Sequence, residues 1–359
     1  MKVIVVGAGV IGAVTAWNLA RSGAQVTVIE AGAPAQGASG ASFGWINASF
    51  YADEDHFHLR HAAFAAHRRL ADALGSRAVQ WQGCLCWEEQ GAAFDAQSDA
   101  LRALGYNVRE IDRDGFTALE PGIPAPERAL LFADEGAVDL VTLTQDALAA
   151  ACALGARIIS GVPVQGLVHR AGRIAGVTWS GGTITADHVM LATGTATGKL
   201  LDTVDARLPM PDRPGLILRT APLPPLLSHI LVSPGQELRQ LPDGRLLAPT
   251  AAAHQSDTSS EVAGDPSVLA DRAAARVSAL IGQAVRWEEV TLAWRPVPGD
   301  GLPVIGACGP EGLYVTTMHS GATLAPLVGE IAAAEIMGRG LSNTHAALVA
   351  PYRPARFTE

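Results

Sequence analysis

Four cysteines in 359 residues are too few for a disulfide scaffold, so nothing in the chain calls for an oxidising compartment. Charged residues are scarce, at 17%, and their balance is acidic, with a formal net charge of −9. That excludes the basic footprint that a nucleic-acid partner needs. Uninterrupted hydrophobic runs are missing too. The uncharged stretch Val3–Ala20 is punctuated by Gly7, Gly9 and Gly12 and carries the polar Thr15 and Asn18. A membrane span needs about 20 predominantly apolar residues. With Lys2 as its whole positive region, the stretch is equally poor as a signal peptide. The expectation is a soluble, cytoplasmic chain whose first residues already belong to the fold.

What is present is apolar and rich in turns. At 48% hydrophobic the chain is far from the disordered class, and its length supports a substantial core in roughly two domains. The 38 glycines and 22 prolines imply many turns and many close backbone approaches. Val3–Val6 is a β-branched run of the kind buried on both faces of a sheet. A helix from about Val10 to Ser22 follows, Gly23 stops it, and Gln25–Glu30 reads as a second strand. Together they make a βαβ unit with a parallel sheet. Further along, Tyr51–Ala73 looks helical, Trp81–Glu88 extended, and Val141–Leu154 an alanine-rich helix. Short strands are expected over Arg157–Ile159, Val162–Val168, Ile174–Trp179, Thr183–Thr185 and Asp187–Ala192. Proline-rich alternating strands fill Pro209–Pro249, and a last helix covers Leu324–Met337.

Gly7, Gly9 and Gly12 stand in G-A-G-V-I-G, after a buried strand and at the opening of a helix. Glu30 ends the next strand, with 17 residues between it and Gly12. That context points to a dinucleotide site. Gly7 permits the tight turn, Gly9 admits a pyrophosphate, and Gly12 lets helix and strand pack closely. The loop Gly7, Gly9, Val10, Ile11 and Gly12 therefore faces the phosphates with helix N–H groups, and Glu30 suits a ribose diol. A nicotinamide cofactor and FAD both fit so far. The loop Gly37–Asn47 adds small residues and the hydroxyls of Ser39 and Ser42, with Ala41 between them. A glycine motif at the very start, with a long excursion and a return near the carboxyl terminus, suits the extended FAD.

Several pieces then follow in a fixed order: A-D-E-G-A-V-D at Ala133–Asp139, A-T-G at Ala192–Gly194, R-P-V-P-G-D-G-L-P-V-I-G at Arg295–Gly306 and H-S-G-A-T-L-A-P at His319–Pro326. With the opening βαβ unit they resemble the D-amino acid oxidase family of flavoproteins, which includes glycine oxidase, sarcosine oxidase and the opine and hydroxyproline dehydrogenases. The resemblance spans the chain and is strongest in its first 50 and last 70 residues. It implies an α/β fold: a Rossmann-like FAD domain from residues 1–48, 134–204 and 292–359, and an antiparallel-sheet substrate domain from 49–133 and 205–291. It also implies that Val164 meets the adenine and that Thr193 and Gly194 line the nucleotide path. Gly321, Ala322, Thr323 and Leu324 would bring a helix amino terminus to the flavin pyrimidine, where its dipole favours the extra negative charge of reduced flavin.

By the same resemblance, the reaction is oxidation of an amino acid or N-substituted amino acid to an imine by hydride transfer to flavin N5. Arg295 matches the family arginine that pairs with a substrate carboxylate, a contact a guanidinium makes bidentately. His319 falls where glycine oxidase-like members carry a second basic residue, and an imidazole there could take the substrate ammonium proton. Arg239, in Q-E-L-R-Q-L, shares one strand face with Glu237 and Leu241. It is a second carboxylate clamp if that face roofs the flavin, or else half of an exposed ion pair with Glu237. Trp45 and Tyr51 are candidates for the pocket wall. Sarcosine oxidase-like members attach FAD to a cysteine near the arginine segment, but Trp294–Gly301 has none and Cys308 lies beyond it, so non-covalent FAD is expected. Two other readings stay open: a flavin-binding subunit of a hetero-oligomer with little activity alone, and an NAD-dependent dehydrogenase. No metal is expected. Cys84 and Cys86 lack a second ligand pair, and His56, His58, His61 and His67 read as a solvated polar helix face.

Overall fold

The computed structural model describes residues 1–252 and 258–357. The β-branched opening forms strand β1 (Lys2–Val6), whose Val3–Val6 are all buried. The chain then turns at Gly7 into helix α1 (Val10–Arg21) and returns as β2 (Gln25–Ile29), parallel to β1. Helix α2 (Glu54–Leu74) is capped by Asp53, whose carboxylate accepts the His56 amide, and ends at Gly75 in the left-handed region. Helix α3 (Leu140–Ala153) begins at Asp139, which caps it in the same way. Three more strands, β3 (Arg157–Ile159), β4 (His188–Leu191) and β5 (Val304–Ala307), precede β6 (Leu313–Thr317) and helix α4 (Gly321–Ile336).

These strands assemble one six-stranded sheet in the order β5-β6-β4-β1-β2-β3. It is parallel throughout except where β5 meets β6. Its strands thus come from three separate stretches of chain. Helix α1 packs against both α3 and α4. The approach is very close: a Cβ on Gly12 would stand 2.0 Å from the Gly7 carbonyl oxygen, and one on Gly329 would stand 2.8 Å from Val14 Cγ1. Only glycine at these positions lets the helices settle onto each other and onto the sheet.

A second sheet has eight strands, in the order Trp287–Trp294, Pro214–Thr220, Leu246–Pro249, Gln236–Gln240, Ile230–Ser233, Cys84–Cys86, Arg128–Phe132 and Val108–Asp112. It is antiparallel with one exception, the parallel pair Ile230–Ser233 and Cys84–Cys86. Alternation divides its faces. Leu218, Leu238, Leu246 and Ala248 pack with Ala273, Val277 and Ile281 of the helix Pro266–Ile281. Arg239, opposite Leu247, and Arg219, opposite the same Leu247, therefore point to the other side with Ile217 and Gly215.

Several boundaries differ from expectation. The final helix starts at Gly321 rather than Leu324, because Ser320 and Gly321 already turn the chain into it. The strand expected over Val162–Val168 begins only at Gly166, which leaves Val164 in irregular backbone; Trp81–Glu88 shrinks to Cys84–Cys86. The helices Gly91–Ala103 and Pro266–Ile281 are amphipathic, yet they are missed by the sequence reading. No helix among the described residues is long and apolar enough to cross a membrane.

Candidate functional site

The carboxyl ends of β1 and β2 open on a cavity of about 1010 Å³. Of the residues singled out in the sequence for a nucleotide, Gly7, Gly9, Val10, Ile11, Glu30, Ser39, Ala41, Ser42, Val164, Thr193, Gly194, Gly321 and Ala322 line it. Gly7 has φ +101°, and a Cβ there would meet the Ala192 carbonyl oxygen at 2.3 Å, so a side chain is excluded twice over. Beside Gly9 the nearest atom to a would-be Cβ is Ser39 Oγ, at 3.2 Å. That hydroxyl accepts the Val10 amide at 3.0 Å. Glu30 is fixed at the end of β2, accepting the Ala8 amide at 2.7 Å and the Gly32 amide at 2.9 Å. Three residues sit elsewhere. Gly12 is packed under Gly7, Leu324 is fully buried, and Thr323 belongs to a second, smaller cavity.

The amino termini of α1 and α4 both reach the large cavity, and neither N-cap residue, Gly9 or Ser320, caps its helix with a side chain; in α1 only the Val10 amide is taken, by Ser39. Uncapped N–H groups with two positive dipole ends are what an anionic, extended ligand requires. The volume exceeds that of ordinary drug-sized pockets. The donor set, the glycine cradle and the size fit FAD. Arg219 and Lys199 also line this cavity, and the sequence reading named neither. Arg219 reaches it from the sheet face it shares with Ile217 and Gly215.

The second cavity holds about 120 Å³ and shares Ala38, Ala41, Ser42, Ala293, Pro296, His319 and Ala322 with the first. Arg295 and His319 both stand on its wall, beside Phe43, Trp45, Asn47 and Ile217. Arg295 is held by backbone: its Nε and Nη2 donate to the carbonyls of Arg213 and Pro214 at 3.4 and 3.3 Å. Arg239 lies one layer behind. Its guanidinium sits over the Phe43 ring, 5.7 Å from the centroid, and its Nη2 would be 3.0 Å from a Cβ on Gly44. Arg239 is buried, which corrects the alternative of an exposed ion pair with Glu237. Trp45 is in the wall as expected, whereas Tyr51 is packed edge-on against Phe57.

One member of this wall was missed. Arg60 of α2 is buried and lines the small cavity. Its Nε donates to the Asn47 carbonyl at 3.0 Å, Nη2 to Asn47 Oδ1, and Nη1 to Ser320 Oγ at the threshold of α4. Burial lowers its pKa from 12.5 to about 10, which leaves it charged near neutrality. The expected solvated face of α2 is corrected here. His56 and His67 are buried, whereas His58 and His61 are exposed as expected. His67 Nε2 lies 2.9 and 3.0 Å from the carbonyl oxygens of Ala322 and Thr323, so it must carry the proton and donate to them. Arg60 and His67, seven residues apart on one helix face, thus clamp the first turn of α4.

Among the described residues no group of three or more His, Cys, Asp or Glu could hold a metal. Burial raises the Cys84 thiol well above its ordinary value and pushes Cys86 up to about 12, so both stay protonated packing residues.

Fold and site together define a flavin-dependent oxidoreductase. The match to known proteins is chain-wide: residues 2–335 match the family described as FAD dependent oxidoreductase, and the chain belongs to that family. It is 26% identical over 346 residues to glycine oxidase of Pseudomonas putida, covering 90% of this chain and 91% of that one. It is 28% identical over 409 residues to D-amino acid dehydrogenase of Paramagnetospirillum magneticum, covering 94% and 96%. The fold superposes on the crystal structure of glycine oxidase from Geobacillus kaustophilus with a TM-score of 0.85 at 24% identity, over 99% of both chains. It also matches L-amino acid deaminase from Proteus myxofaciens, with a TM-score of 0.87 at 21% identity over 99% and 93%. The protein is an FAD-dependent oxidoreductase, which sets aside the NAD-dependent alternative.

Proposed function

We propose that this protein oxidises a small amino acid or N-substituted amino acid to the corresponding imine, with Arg295 holding the substrate carboxylate and His319 taking the ammonium proton. The observation that supports it is that Arg295 and His319 both line one small cavity, which shares part of its wall with the nucleotide cavity. When bound, FAD supplies the two-electron acceptor for the hydride that leaves the α-carbon. The protein's own part is positional. Arg295, braced by two backbone carbonyls, offers a fixed fork to a carboxylate. His319 adjoins both cavities, so a proton acceptor stands near the amine when the lone pair must be freed to form the C=N bond. Water then hydrolyses the released imine.

Residues 1–48, 134–204 and 292–359 form the FAD-holding part in this reading, and 49–133 with 205–291 the substrate-holding part; positions 253–257 and 358–359 lie outside the described residues. FAD is bound without a covalent link, in keeping with cavity linings that include no cysteine among the described residues. Anaerobic mixing of the yellow holoprotein with D-, L- and N-alkyl amino acids tests the function: at least one must bleach the flavin. Acid precipitation tests the linkage, since colour left in the pellet would disprove non-covalent binding.

A further inference from the structure

Positive charge is concentrated around the small cavity. Arg60 and Arg295 line it, and Arg239 stands behind Phe43 and Gly44, which also line it. No Asp or Glu is among its described lining residues. The three guanidinia differ in how they are satisfied. Arg60 is tied to Asn47 and Ser320, and Arg295 to the carbonyls of Arg213 and Pro214. Arg239 is 6% exposed, and its buried Nε has no hydrogen-bond partner among the described residues. Its neighbours offer little: a phenyl ring at 5.7 Å and the more distant charges of Asp139 and Arg219, of opposite sign to each other.

A buried guanidinium N–H without an acceptor is costly, and a ligand that supplies the acceptor removes that cost. The placement is consistent with that. Arg239 shares its sheet face with Gly215 and Ile217, both in the cavity wall; it stands two strands from Ile217, across the strand of Leu247, with its guanidinium against Phe43 and Gly44 of that wall. Under the proposed reading, Arg295 accounts for one carboxylate. A monocarboxylate substrate would leave Arg239 uncompensated.

We propose that the substrate carries two anionic groups: a small amino- or imino-dicarboxylate whose first carboxylate meets Arg295 and whose second meets Arg239. This rests on the proposed amine oxidation at this site. Arg239 is then a specificity-determining residue, and its fork reads the end of the substrate remote from the reacting carbon. The small volume limits the spacer between the carboxylates to one or two carbons on either side of the nitrogen. Long dicarboxylates and aromatic amino acids are excluded by the same limit.

The test pairs ligands that differ by one carboxylate. For binding without turnover, thiodiacetate and (methylthio)acetate are titrated into the holoprotein and the flavin absorbance change is followed. Sulfur in place of nitrogen makes both inert. Thiodiacetate should bind about 10- to 100-fold more tightly, the worth of one charge-assisted contact. Arg239→Met should erase that preference while leaving (methylthio)acetate within about threefold of the parent. Equal affinities in the parent, or a Met variant that weakens both ligands alike, overturn the proposal. If the Met variant does not retain FAD, Arg239→Lys takes its place, and it must lose at least half of the logarithmic preference, because a lysine lacks the fork. Turnover is read separately, by anaerobic bleaching with iminodiacetate against N-methylglycine. A strong thiodiacetate preference with no bleaching by any amine would leave the anion site standing and refute the oxidation reading alone.

Discussion

Glu135 and Arg60 form no ion pair with each other, yet they hold opposite sides of one short segment, Trp45–Ser49. The buried Glu135 carboxylate accepts the Ala48 and Ser49 amides at 3.2 and 3.1 Å and the Trp45 indole N–H at 2.9 Å. Arg60 takes the Asn47 carbonyl and its side-chain oxygen. The segment's N–H dipoles thus point at an anion and its C=O dipoles at a cation, while Thr323 Oγ1 accepts the Asn47 amide at 3.2 Å. Two buried charges, each satisfied by neutral groups, fix the wall of the small cavity against the start of α4.

Glu135 gives the first prediction. Burial raises its pKa from 4.5 to about 6, against the opposing effect of its donors. The folded state therefore binds this proton more tightly than the unfolded chain. Stability is lost as pH rises from about 4.5 to 6, and the deficit above that window is about 2 kcal/mol. Urea unfolding of the parent and Glu135→Gln between pH 4 and pH 7 should show the parent declining relative to the variant by that amount. Parallel curves would mean that the carboxylate is not titrating there.

His67 predicts the opposite slope. Burial lowers its pKa from 6.5 to about 4, the backbone hydrogen bonds to Ala322 and Thr323 opposing only in part. The unfolded chain takes up a proton below pH 6.5 that the folded protein refuses, so stability falls as pH drops from 6.5 towards 4. The loss is about 3 kcal/mol. His67→Gln, which retains an N–H donor for the two carbonyls, should flatten this limb. An acid limb of unchanged steepness in that variant would assign the loss to His56, lowered to about 4 by the same burial.

The nucleotide half of the site was legible because its chemistry is local. A turn, an uncapped helix and a strand-end carboxylate lie within Gly7–Glu30, and each residue's conformational demand can be read beside its neighbours. The substrate half was legible only in part. Arg295 and His319 were reached through a resemblance, and Arg60 through nothing at all, because it sits among the charged and histidine-rich residues of α2. Its partner Ser320 is 260 residues away in sequence, and no pattern along the chain records that contact. The face His56, Arg60, Ala63 and His67 has helical spacing, but a polar stripe normally means solvent. Only tertiary packing turns it inward.

Arg295 carries the third prediction. Replacing it with methionine removes a bidentate charge-assisted contact from the transition state, which should cost about 2–4 kcal/mol, or on the order of 30- to 1,000-fold in kcat/KM. FAD content should stay near that of the parent, since Arg295 lines the small cavity and not the large one. Anaerobic flavin reduction over a range of amine concentrations decides the matter. A variant reduced as fast as the parent at every concentration makes Arg295 a structural arginine and moves carboxylate binding to Arg239.

His319 carries the last. It precedes Ser320, which Arg60 holds, and Gly321, where α4 begins, so its backbone is anchored while its side chain adjoins both cavities. Hydride can leave the α-carbon only from an amine with a free lone pair, so the ammonium proton must go to some acceptor first. An imidazole is the side chain whose ordinary titration falls near neutrality. His319→Asn keeps a polar group of similar reach but removes that acceptor. The variant should therefore bind FAD as the parent does and reduce it more slowly, most severely below the bound amine's own pKa, where most substrate arrives protonated. The expected loss is on the order of 10²-fold at that end of the profile, the lower range for general base catalysis, and it should shrink as pH rises and solvent deprotonates the amine. Stopped-flow reduction against pH reads both features. A limiting rate and a pH profile that match the parent would make His319 a packing residue and leave deprotonation to water.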